Sequence, residues 1–197
     1  TWGTEINDAF SFGKTVRAFA LDAQDRPGFV FYDRNYFHYE PDHTGGFYTW
    51  CEADCAKGTT DDKTWKEVYI GGGSEYDTDI YSFPVLHYTS DSKPRVLVEV
   101  TTGDAGKERM GIIYKSCEAS CDQSASWRHT KVADRGYENF VSWDMALDAQ
   151  NRPHIAFYQG SLENSQGHFL QYIYCTGACQ TAGNWKTLNL GLEQEEG

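Results

Sequence analysis

No stretch of this chain approaches the roughly 20 consecutive apolar residues that span a bilayer as a helix, so no membrane span is expected. Thr1 opens without a basic segment or an apolar core, which places any export signal outside this chain or already removed. Positive charge is in deficit. Against 29 Asp and Glu stand 17 Lys and Arg, a formal net charge of −12 spread without long acidic runs. A polyanion such as DNA, or an anionic membrane face, would be repelled, and nucleic acid drops out as a partner. Methionine is nearly missing, with two residues, whereas Tyr, Phe and Trp number 13, 11 and 6. Aromatic and β-branched residues suit pleated, half-buried surfaces, so the composition predicts an all-β fold. With 197 residues and 40% hydrophobic content, the chain can bury a core of ordinary size.

What is present is a repeat. Ala20-Leu-Asp-Ala-Gln-Asp-Arg-Pro27 recurs as Ala146-Leu-Asp-Ala-Gln-Asn-Arg-Pro153, with a looser copy, Tyr88-Thr-Ser-Asp-Ser-Lys-Pro94, between them. Each proline is followed by a string with apolar second and fourth places: Gly28-Phe-Val-Phe-Tyr32, Arg95-Val-Leu-Val-Glu99 and His154-Ile-Ala-Phe-Tyr158. That alternation is strand periodicity. Downstream stand the pairs Cys51 and Cys55, Cys117 and Cys121, Cys175 and Cys179. A tyrosine precedes each first cysteine by three residues (Tyr48, Tyr114, Tyr172), and a tryptophan follows each second one (Trp65, Trp127, Trp185). One unit therefore reads as four strands: one before the Asp/Asn-Arg/Lys-Pro turn, one after it, one running into the cysteines and one from the tryptophan. Proline suits a strand start, and Asp or Asn suits the turn.

The cysteine pairs admit two readings. As disulfides, each closes a tight loop between third and fourth strands and implies an oxidising compartment. As zinc ligands they would need four donors together, yet successive pairs sit one unit apart and no histidine recurs beside them. The disulfide reading is the expectation.

Four-stranded units with a period near 60 residues fit β-propeller blades; a solenoid and a sandwich of duplicated hairpins are the alternatives. The third unit, Ala146 to Leu190, reads Ala-Leu-Asp-x-x-Asn-x-Pro-His-Ile-Ala-Phe-Tyr, Leu-x-Tyr-x-x-Cys-x-x-x-Cys and Asn-Trp-x-x-x-x-Leu. In these features the chain resembles repeats of secreted bacterial proteins, themselves similar to sialidase and BNR propellers. The resemblance implies a propeller, a secreted or cell-surface location and a bacterial source. The Asp-box of sialidase blades is incomplete: Thr59-Thr-Asp-Asp-Lys-Thr-Trp65 lacks the glycine, and the other two copies lack the aspartate.

The expected organisation is a preceding strand and connector over 1–16, then blades over 17–71, 72–133 and 134–197. Trp2 precedes Trp65 at nearly the repeat spacing and marks the last strand of a preceding blade, although Trp2-Gly-Thr-Glu-Ile6 lacks the apolar third and fifth positions that follow Trp65 (Val68, Ile70) and Trp185 (Leu188, Leu190), where the middle copy has Thr130 and Val132. Three blades do not close a ring of the usual four to eight or so. Further blades of the same protein are expected to complete it, the rival being a second copy of the chain in a heterologous pair.

Loops between second and third strands, and those joining units, are the least repetitive parts and share one end of the fold. They supply the candidate ligand-binding residues: Tyr36, His38, Asp42 and His43 in the first unit, Tyr76 in the connector, Asp104 in the second unit, and Tyr137 in the next connector. Glu75, Asp77 and Asp79 alternate after a glycine run and offer oxygen ligands to Ca2+, without the glycine and final glutamate of an EF-hand. The alternative is a solvated connector. The expected function is an extracellular binding, adhesion or assembly module for a carbohydrate or protein partner, loop tyrosines stacking on the ligand. A sialidase-like glycoside hydrolase using Tyr137 and Glu138 with an arginine cluster (Arg17, Arg95 or Arg135), and a purely structural section of a surface protein, are the competing readings.

Overall fold

The computed structural model describes residues 14–33, 45–53, 55, 64–71, 82–102, 109–135, 139–161 and 169–191. They form three four-stranded antiparallel sheets and no α-helix. The first sheet holds β1 (Lys14–Leu21), β2 (Pro27–Asp33), β3 (Gly45–Cys51) and β4 (Trp65–Tyr69). The second holds β5 (Ser82–Tyr88), β6 (Pro94–Thr102), β7 (Arg109–Cys117) and β8 (Trp127–Arg135). The third holds β9 (Asn139–Leu147), β10 (Pro153–Ser161), β11 (Phe169–Cys175) and β12 (Trp185–Asn189). Every sheet is a meander in chain order. The landmarks fall where the repeat predicts: the prolines open second strands, the first cysteines close third strands, and the tryptophans open fourth strands. The Trp2 segment lies outside the described residues.

The turns explain the repeat's conserved lettering. Asp22 Oδ1 accepts the backbone N–H groups of Gln24 and Arg26, both at 2.9 Å, while Arg26 Nε donates to Oδ2 at 2.8 Å. Asp148 does the same for Gln150 and Arg152, at 2.9 and 2.8 Å, with Arg152 Nε at 2.7 Å. In the second sheet Thr89 takes the aspartate's place, its Oγ1 accepting Lys93 N–H at 2.9 Å. The fourth turn residue, Asp25, Ser92 or Asn151, has φ of 58°, 65° or 60°. This left-handed position favours Asn and Asp among side-chain-bearing residues.

The sheets stack in series, the middle one packing both of its faces. One core joins the first and second sheets through Val30, Tyr48, Val68 and Ile70 on one side and Leu86, Val96, Val98, Ile113 and Trp127 on the other. The opposite face of the second sheet, with Leu97, Ile112 and Tyr114, packs against Met145, Ile155, Phe157 and Ile173 of the third. Equivalent residues meet at both junctions. Tyr48 sits edge-on to Trp127 with ring centroids 5.2 Å apart, and Tyr114 to Trp185 at 5.1 Å. Such geometry contributes about 0.5–1.5 kcal/mol beyond simple burial. The stacking is thus head to tail: the tyrosine face of one sheet meets the tryptophan face of the next.

The second sheet departs in one place. A bulge between Ile112 and Ile113 opposite β8 leaves Val132 as an extra residue. Ahead of the bulge, in unshifted register opposite Tyr114, Thr130 takes the buried place that Val68 fills in the first sheet.

Candidate functional site

All ligand and metal candidates nominated from sequence (Tyr36, His38, Asp42, His43, Tyr76, Asp104 and Tyr137, and the carboxylates Glu75, Asp77 and Asp79) lie outside the described residues. Among the described residues, no group of three or more His, Cys, Asp or Glu gathers to hold a metal ion. The six cysteines are all described and form three local bridges, Cys51–Cys55, Cys117–Cys121 and Cys175–Cys179. Behind the second and third bridges the tryptophan indole donates to the closing cysteine's carbonyl, Trp127 to Cys121 at 3.1 Å and Trp185 to Cys179 at 2.9 Å. Bridge and indole together anchor the start of the fourth strand.

Concave surface occurs at the end of the sheets that carries the Asp-Arg-Pro turns and cysteine loops. At each junction between sheets a cleft of about 300 Å³ opens there, lined largely from equivalent positions, with Trp50 and Tyr88 in the first and Arg152 in the second lacking a counterpart in the other. The first takes Asp22, Arg26, Tyr48 and Trp50 from the first sheet and Tyr88, Ser92 and Asp122 from the second. The second takes Lys93, Arg95, Tyr114 and Glu118 from the second sheet and Asn151, Arg152 and Gln180 from the third.

Tyr48 forms the floor of the first cleft. Its ring stacks on Trp50, centroids 5.0 Å apart and 12° from parallel, and its hydroxyl shares a 2.8 Å hydrogen bond with that of Tyr88. Burial, followed by the neighbouring Tyr88, pushes the Tyr48 phenol far above its ordinary value, and burial raises Tyr88 to about 12, so both stay neutral. Asp22 sits at the rim. Burial raises its pKa, but the hydrogen bonds from the Arg26 side chain and from the backbone of Arg26 and Gln24 outweigh this and hold it below the usual carboxylate range.

The second cleft is more strongly charged. Arg95 Nη1 donates to the Pro94 and Cys117 carbonyls at 3.1 and 3.0 Å, and Nη2 pairs with Glu118 at 2.9 Å. This arginine, one of three available to the glycosidase reading, is therefore locked into its own sheet. Gln180 reaches across from the third sheet to Glu118 at 3.1 Å. Burial raises the Tyr114 phenol to about 12.

The turns themselves are linked across each junction. Ala23 N–H donates to Ser92 Oγ at 3.2 Å, and Ser90 N–H donates to Asn151 Oδ1 at 2.9 Å. In both cases the acceptor is the left-handed residue of the following turn.

Away from the clefts, Lys115 is fully buried between the first and second sheets, its Nζ donating to the Ile70 carbonyl at 2.6 Å and lying 3.1 Å from His129 Nδ1. Burial first, then the charges of Lys115 and Arg128, lower His129 to about 4.

Sequence reasoning found Tyr48, Tyr114 and the Asp-Arg turns as landmarks but not as walls of a cavity. Trp50, Tyr88 and Gln180 carry no repeat signal of their own, and Arg152 was legible only as a turn residue; only juxtaposition of neighbouring sheets brings them together. No family model matches the chain, and no curated protein matches it.

Proposed function

We propose that the three sheets are successive blades of a β-propeller and that the chain works outside the cytoplasm as a carbohydrate-binding module, the sugar lying in the clefts between adjacent blades. Head-to-tail stacking through one recurring set of residues supports the propeller, since blades arranged about an axis pack face to face in this way. Three bridged cysteine pairs support an oxidising compartment.

The observation that carries the binding reading is the recurrence of the cleft. Two junctions between different stretches of sequence form cavities of about the same size from largely equivalent positions. Each lies at the lower end of small-molecule pocket volumes. The first offers an aromatic surface (Tyr48, Trp50, Tyr88) beside a carboxylate and guanidinium, Asp22 and Arg26; the second offers Arg152, Lys93, Glu118 and Gln180 beside Tyr114. Aromatic faces pack on the apolar face of a pyranose, while carboxylates, amides and guanidinium groups bond its hydroxyls.

A glycan array probed with the chain identifies the sugar, and calorimetry with it is expected to give two sites per chain. Trp50→Ala removes the first site and Arg152→Ala the second, each leaving one. Absence of glycan binding, or binding indifferent to both substitutions, overturns the assignment. The hydrolase alternative rests on Tyr137 and Glu138, outside the described residues, and no described geometry favours it. Turnover of a fluorogenic sialoside would.

A further inference from the structure

We infer that the two outer sheet faces are halves of one interface, and that two copies of this chain join head to tail, the third sheet of each on the first sheet of the other.

The apolar residues left in solvent are those whose counterparts are buried at the internal junctions. Leu188 and Leu190 are 49% and 53% exposed on the third sheet, whereas Val68 and Ile70, at the same places in the first, are 6% and 0% exposed beneath the second sheet. On the opposite outer face Phe19 is 56% exposed, while its counterparts Leu86 and Met145 are 4% and 2% exposed against the preceding sheet. Phe31 and Phe47 on that face are already buried, so its open part centres on β1.

The polar partners also run on in register. Tyr172, the third member of the tyrosine series, stands on the outer face of the third sheet, stacked with Tyr174 at 5.2 Å; Trp65, the first of the tryptophan series, stands on the outer face of the first. In the turns, the donor that follows Ala23 and Ser90 is Ala149 N–H. The left-handed acceptor preceding Ser92 and Asn151 is Asp25.

Side-chain size is matched in the same sequence. At the first junction Gly28 makes room for Tyr88, a Cβ on it falling 1.8 Å from the Tyr88 hydroxyl oxygen. At the second, the large Arg95 stands at the glycine's place and the smaller Leu147 at the tyrosine's. The remaining pair of that series is His154, on the third sheet, and Leu21, exposed on the first. A large residue again meets a smaller one.

A second copy of residues 1–197 is the occupant because the two outer faces continue the apolar, tyrosine–tryptophan and turn registers of the internal junctions, and the three described sheets of two such copies would make a ring of six, inside the range of about four to eight. The contact is heterologous yet closes after two copies.

Native mass spectrometry of chain 1–197 is expected to show a dimer. Leu190→Asp, on one face, and Phe19→Asp, on the other, are each expected to give monomer at concentrations where the parent is fully dimeric. Both positions are exposed, and circular dichroism should be unchanged. Mixing the two variants restores a dimer through the one interface that both leave intact. A monomeric parent chain, an open-ended series of larger species, a dimer resistant to either variant, or failure of the mixture to pair overturns the proposal. None of these outcomes depends on whether the clefts take sugar.

Discussion

Replacing Gly28 with alanine tests how the first and second sheets fit. A Cβ there would lie 1.8 Å from the Tyr88 hydroxyl oxygen, 3.0 Å from Tyr88 Cζ and 3.3 Å from Tyr48 Cε2. The first distance cannot be absorbed, so the Tyr88 ring must move and its hydrogen bond to Tyr48 is lost. Overpacking of this kind costs about 1–3 kcal/mol and the lost bond about 1, which places Gly28→Ala near 3 kcal/mol. Tyr88→Phe alone removes the hydroxyl and strands its Tyr48 partner, at a cost of about 1 kcal/mol. The double variant is the decisive one. Without the hydroxyl, the closest atom is the ring carbon, and a shift of a few tenths of an ångström accommodates the methyl group. Its expected cost is about 2 kcal/mol, roughly 2 less than the sum of the single changes. Urea unfolding followed by tryptophan fluorescence gives all three values. Additive costs, or a neutral Gly28→Ala, would refute the close approach of Tyr88 across β2.

Acid should weaken the fold first through His129. Its folded pKa of about 4 lies below its ordinary 6.5, so the unfolded chain takes up a proton that the folded chain refuses. The associated stability is complete above pH 6.5, falls as pH drops towards 4 and then levels, by about 2 kcal/mol after allowance for partial exposure; His129→Gln should remove that slope in unfolding measured against pH. Asp22, held below its ordinary 3.8, loses its contribution only at still lower pH. The double replacement Cys117→Ser with Cys121→Ser should cost about 2 kcal/mol by loop entropy, read as a lowered guanidinium midpoint, with the other two bridges intact by mass.

The strand plan was legible because each landmark has a local physical cause. Proline tolerates the first place of a strand, Asp22 and Asp148 cap their own turns, and Asp25 and Asn151 accept a left-handed backbone. The bulge at Val132 was not legible: the middle unit's fourth strand merely showed Thr130 and Val132 where its neighbours keep apolar residues two apart. Facing was legible only in part. Alternation separates Val30 from Phe29 and Phe31 but does not say which side another sheet will cover. The clefts were invisible for a stronger reason, since Trp50 and Tyr88, or Arg152 and Glu118, meet across sheets built from distant segments. The variation among Gly28, Arg95 and His154 looked like noise at the strand start and acquires meaning only beside Tyr88 and Leu147.

Each covalent bridge returns to the backbone four residues after it leaves. None therefore straddles a connector between sheets, and the described contacts that hold the three units to one another are noncovalent: side-chain packing, turn-to-turn hydrogen bonds and cross-sheet bonds such as that from Lys115 to Ile70. A single protease cut in a connector would leave fragments that travel together in native buffer and part in denaturant with no reductant added. The oxidised thiols fasten each hairpin shut while leaving the seams between units to be opened and remade.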